Sequence, residues 1–78
     1  MNTMVKLNQT QISKIRNYAN FNYYFASRGL IIARDSKTNK YGLYYNTANG
    51  YGLIQEYENI HDLSIAVDAM VLTKNSNL

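Results

Sequence analysis

The chain has 78 residues, 46% of them apolar and 17% charged, with a formal charge of +3 and no cysteine. Those values exclude a disordered tail, a disulfide framework and a thiolate metal site, and they leave room for one hydrophobic core. A single domain over residues 1–78 is expected, because domains usually run from about 50 to 250 residues, with residues 1–9 and 74–78 frayed. The start, MNTMVKLNQT, lacks the apolar run of a signal peptide. No stretch approaches the roughly 18 apolar residues of a membrane span. A cytoplasmic protein is expected. Phe, Tyr, Met, Ile, Asn and Lys, whose codons are rich in A and T, make up 36 of the 78 residues, and proline is absent. That bias points to a low-GC bacterium, or to one of its phages or plasmids.

In chain order, the first predicted element is a helix from Thr10, whose hydroxyl would cap the first turn, to about residue 26. Ile12, Ile15, Ala19, Tyr23 and Ala26 recur at spacings of three and four, which predicts one buried helical face. Tyr18, Phe21 and Phe25 form an adjacent stripe, and Gly29 suits the left-handed position past the helix end. Leu30 to Arg34 reads as a strand entering a polar turn, and it is the candidate edge through which two copies could pair. Lys40 to Tyr45 is the second strand. Asn49-Gly50 carries the signal of a type I′ hairpin turn, and Tyr51 to Tyr57 is the third strand. The repeated Tyr-Gly-Leu at 41–43 and 51–53 predicts glycines wherever a backbone or helix approaches the aromatic face closely. The last helix opens at Asn59, with Asp62 three residues on, and Ile60, Leu63, Ala66, Val67, Met70 and Val71 keep helical spacing. The predicted fold is α+β in two layers: helix, three-stranded antiparallel sheet, helix (αβββα).

Charge divides along the chain. Residues 1–45 hold seven of the eight Lys and Arg against the single acid Asp35, a formal +6, while residues 46–78 carry −3. A basic side able to steer toward an anionic partner is expected. The inventory for catalysis is thin. His61 is the only histidine and stands at the start of the last helix, and Glu56 and Glu58 share a strand face but are too few for a metal site. The four glycines match no phosphate-binding fingerprint. No enzymatic role, cofactor or metal is expected.

Two binding classes remain. The order helix, three strands, helix resembles the double-stranded RNA-binding domain, although His61-Asp62 stands where that family places a basic cluster. Lys40 to Met70, with Tyr57 followed by a helix containing Ala66 and Ala69, resembles the AP2-type DNA-binding domain, whose sheet carries several arginines that are missing here. Both resemblances imply a nucleic-acid-binding module with a basic, tyrosine-rich sheet or helix face. Lys37 and Lys40 would grip the backbone and Tyr44 would stack on a base. In size, composition and lack of a catalytic set, the chain is similar to the small inhibitors that phages and mobile elements raise against bacterial defences, the anti-CRISPR proteins among them. That similarity implies stoichiometric covering of a host protein or ribonucleoprotein complex; the chain itself is expected as a monomer or as a homodimer paired through Leu30 to Arg34. Tyrosine and arginine are enriched at such contacts, so Lys14, Arg16, Tyr18, Tyr24, Arg28, Lys37, Lys40 and Tyr44 are the candidate partner-binding residues.

Overall fold

A computed structural model describes residues 4–76. The elements are β1 (Met4–Lys6), α1 (Gln9–Ser13), α2 (Tyr18–Phe25) running into a 3-10 turn (Ala26–Arg28), β2 (Leu30–Asp35), β3 (Tyr41–Thr47), β4 (Gly50–Tyr57) and α3 (Ile60–Ser76). The four strands form one antiparallel sheet in the order β1-β2-β3-β4. The fold is α+β as the sequence indicates, but the sheet has four strands where three were expected. The fourth comes from the segment read as frayed: Met4, Val5 and Lys6 pair with Asp35, Arg34 and Ala33. Three residues are too short to show strand alternation in sequence, and β2 supplies the template that orders them. At the other end, Lys74 continues α3, and residues 1–3 and 77–78 lie outside the described residues.

The first helix begins two residues earlier than Thr10 suggests, because Asn8 is the better cap. Its side chain accepts from the Gln11 N–H at 2.8 Å, and Gln11 Oε1 accepts from the Asn8 N–H at 2.8 Å, a complete reciprocal box. The helix then stops. Between Lys14 and Asn17 the chain turns, and α3 satisfies the exposed polar groups: the Arg16 N–H donates to Ser64 Oγ at 3.2 Å, and Asn17 Nδ2 donates to Asp68 Oδ1. Ser64 and Asp68 are one helical turn apart, so a single face of α3 holds the break.

This break changes the phase of the helix that follows it. The continuous stripe expected through Ala19 and Tyr23 does not reach the core: both are exposed, Tyr23 at 79%. The adjacent stripe turns inward instead, with Phe21 at 2% exposure and Tyr18, Tyr24 and Phe25 packed beside it. Phe21 joins Leu7, Ile15, Ile32, Leu43, Leu63, Val67 and Val71 in one cluster between the helices and one sheet face. α3 contributes three of these residues at spacings of four, as the sequence indicates, and packs over β3 and β4, whereas α2 packs over β2.

The turns follow local chemistry. Gly29 takes φ 88° after the 3-10 turn, and its carbonyl accepts from the Asn46 N–H at 2.8 Å. In the β2–β3 connection Asn39 carries φ 60°, a value asparagine tolerates, and Arg34 Nη1 donates to its side-chain oxygen at 2.8 Å. The β3–β4 hairpin is not the expected type I′ turn, since Asn49 does not take positive φ. Gly50 alone does, at 115°, and pairs with Thr47, whose hydroxyl donates to the Gly50 carbonyl at 2.6 Å.

The phase shift is directly measurable. Phe21→Ala is expected to cost about 3–5 kcal/mol of unfolding free energy, the usual range for a buried phenylalanine. Tyr23→Ala, losing little beyond an edge contact with Tyr24, is expected to cost less than about 1 kcal/mol. Urea denaturation of the two variants compares them, and equal losses would refute the assignment of faces.

Candidate binding surface

The eight residues singled out from sequence do not converge on one patch. Tyr44 lies on the sheet face opposite Leu43, where a stacking role requires it, but it is 5% exposed. The cause is Gly42. An ideal Cβ there would stand 2.8 Å from the Tyr44 ring and 2.9 Å from Leu53 Cδ1, so the tyrosine lies across the bare backbone two residues away and Leu53 closes over it. Gly42 thus admits a close approach, as the glycine pattern suggested, although the approaching group is the neighbouring tyrosine; Gly52 has open space around it.

Lys40 is engaged as well. Its ammonium lies 3.2 Å from Glu58 and 3.8 Å from Glu56, and the hydrogen bond and charge of Glu58, then Glu56, raise its pKa above the ordinary lysine value. The paired glutamates therefore serve as a lysine clamp. Burial, with smaller contributions from the charges of Asp35 and Glu56, raises the Tyr44 phenol, and burial raises Tyr57.

Tyr18 and Tyr24 are half-buried against the core, and the Tyr24 ring meets Tyr23 edge-on at 5.3 Å between centroids. Lys14, Arg16, Arg28 and Lys37 are exposed and form no ion pair among the described residues. Of these, Lys14 ends α1, Arg16 sits in the break and Arg28 closes the 3-10 turn, so three belong to the helical stretch before β2. Lys37 stands apart in the β2–β3 turn, its own N–H donating to Asp35 Oδ1 at 2.8 Å. That helical stretch has no Asp or Glu anywhere from residue 1 to residue 34. Its most exposed large apolar side chain is Tyr23, which the sequence placed in the core. Nothing local in sequence marks Tyr23 as exposed, because its orientation is set by the break 48 residues upstream of its partner Ser64.

A second exposed apolar group lies on β4, where Tyr51, Leu53 and Ile54 are each about half exposed. His61 is exposed at the start of α3, and the neighbouring Asp62 N–H donates to the Asn59 side chain at 2.9 Å, the cap expected there. No cluster of three His, Cys, Asp or Glu residues is present among the described residues, and no helix among them is long and apolar enough to cross a membrane. The chain matches no protein-family model, no curated protein and no solved structure at a significant level.

Two outcomes follow from this geometry. Gly42→Ala is expected to destabilise the fold by about 1–3 kcal/mol, since the new methyl must displace the Tyr44 ring or Leu53, and thermal denaturation reads the loss. Raised folded-state phenol pKa values mean that the unfolded chain releases those protons first as pH passes about 10. Stability should therefore fall as pH rises through that region. The Lys40 contribution acts in the same direction: it is fully present below about pH 10.4 and is lost as pH rises through the higher folded value. Near-ultraviolet absorbance titration should resolve a late-ionising tyrosine class that Tyr44→Phe and Tyr57→Phe each diminish.

Proposed function

We propose that this chain is a non-enzymatic binding protein that occupies the surface of a host protein or ribonucleoprotein complex, in the manner of the small anti-defence inhibitors of phages and mobile elements. The setting proposed is the cytoplasm of a low-GC bacterium. The observation that carries the reading is the acid-free helical stretch before β2, along which Lys14, Arg16, Tyr23 and Arg28 are all exposed. Tyrosine offers a large contact area with only two rotatable bonds to order, and arginine makes forked hydrogen bonds to carboxylates and phosphates. Both types are therefore enriched among residues that dominate binding energy. Tyr24 meets Tyr23 edge-on while packing, like Tyr18, against the core, and Tyr44 and Lys40 are engaged within the sheet.

The same basic stretch supports a second reading, binding of nucleic acid through the helical face. The burial of Tyr44 and the clamped Lys40 favour that face over the sheet as the contact. Affinity purification from a low-GC bacterial lysate, followed by reconstitution with the recovered partner, is the experiment that tests both. A stoichiometric protein partner is expected. Arg16→Ala and Tyr23→Ala should each weaken it by about 5–30-fold, or 1–2 kcal/mol, with unchanged circular dichroism. Oligonucleotide affinity that falls steeply between about 50 and 200 mM salt, and is lost in the same variants, would move the function to nucleic acid. Full binding by both variants would refute the surface.

A further inference from the structure

The sheet ends in two unlike edges. β1 is three residues long and carries Lys6, features that blunt an edge against unwanted pairing. β4 runs for eight residues, Gly50–Tyr57, with neither lysine nor proline, and Glu56 is its single charge. Tyr51, Leu53 and Ile54 are about half exposed along it, and ideal Cβ atoms at Gly50 and Gly52 meet nothing within 4 Å. β2, the strand whose sequence suggested a pairing edge, is interior: β1 covers it over Ala33–Asp35 and β3 covers it from Leu30 to Arg34. A free, apolar, unguarded strand of this length leaves backbone donors and acceptors facing solvent, and it is a ready template for another strand.

We propose that β4 pairs with β4 of a second copy of this chain, antiparallel about a two-fold axis, joining two four-stranded sheets into one of eight strands.

The strand is complementary to itself in that arrangement. With the axis between Leu53 and Ile54, Leu53 stands opposite Ile54 of the other copy, so the apolar residues meet at the centre. Tyr51 stands opposite Glu56 and Gly52 opposite Gln55, so no like charges face each other across the junction. Gly50 stands opposite Tyr57, so no bulky pair meets at either end of the junction. β4 also contains a bulge, because Leu43 pairs with Gln55 and Tyr44 with Leu53, leaving Ile54 as the extra residue. Ile54 adjoins the axis, so the bend lies between the two half-ladders. The pairing is isologous and closes on itself, giving a dimer with no further free β4 edge. It leaves the basic helical surface accessible, since α2 packs over β2, two strands away from β4. The inference therefore stands independently of the partner proposed above.

Sedimentation velocity across a concentration series, paired with hydrogen exchange, tests the dimer. The full chain is expected to pass from a 9.0 kDa monomer to twice that mass with a dissociation constant on the order of micromolar. Backbone amides of Gly50–Tyr57 should exchange several-fold more slowly in the concentrated sample than in the dilute one. Leu53→Lys and Ile54→Lys, both at half-exposed positions, should keep the monomer's circular dichroism and weaken self-association at least about 10-fold. A chain that stays monomeric at hundreds of micromolar overturns the proposal. So does a dimer whose β4 amides gain no protection, or one that both lysine variants form as readily as the unaltered chain.

Discussion

Two hydrogen bonds from one face of α3 decide how the first third of the chain is used. The Arg16 N–H and the Asn17 side chain reach Ser64 and Asp68, and in doing so they hold open a break that a continuous helix would have closed. Because α3 is itself anchored by Leu63, Val67 and Val71, each at or below 2% exposure, the break is fixed to the most rigid part of the core. The consequence runs outward. α2 restarts in a new phase, Phe21 enters the core, and Tyr23 is left on the surface. The candidate binding surface is thus a product of core packing at a distance.

The sheet shows a similar coupling between local chemistry and long-range contact. Its helix-covered face is closed by the core, and its other face is partly closed by its own side chains: Tyr44 lies over Gly42 and Leu53 covers both. Lys40 draws Glu56 and Glu58 together at the far end of the same hairpin. These contacts bury Tyr44 and pair Lys40 with carboxylates, two of the three groups that made the sheet resemble a nucleic-acid platform, while Lys37 stays exposed in the β2–β3 turn. Among the described residues the long outer edge of β4 and the helical stretch before β2 stay open, two surfaces on different parts of the molecule.

Much of the architecture was legible because its signals are local. Gly29 after a helix, Asn59 three residues before Asp62, and Leu63, Val67 and Val71 at helical spacing each mark an element through backbone geometry or periodicity, and each stands where it was read. The binding residues were less legible. Exposure of a tyrosine depends on which way its element is turned, and eight tyrosines with similar local surroundings end in positions from the buried Tyr44 to the open Tyr23. β1 escaped notice for a different reason. Three residues hold no period, and their strand exists only because β2 offers them an unpaired edge.

The sequence by itself determined the class of the molecule: an α+β fold, a helix to close it, and a basic first half. Composition and spacing suffice for that, since they set what can be buried, capped or charged wherever the chain folds. The tertiary structure alone decided which residues the outside world meets. The helix break, the clamping of Lys40 and the place of β4 at the sheet edge arise from contacts between residues far apart in the chain, whereas Tyr44 is buried by the bare backbone of Gly42 two residues away together with Leu53 across the hairpin.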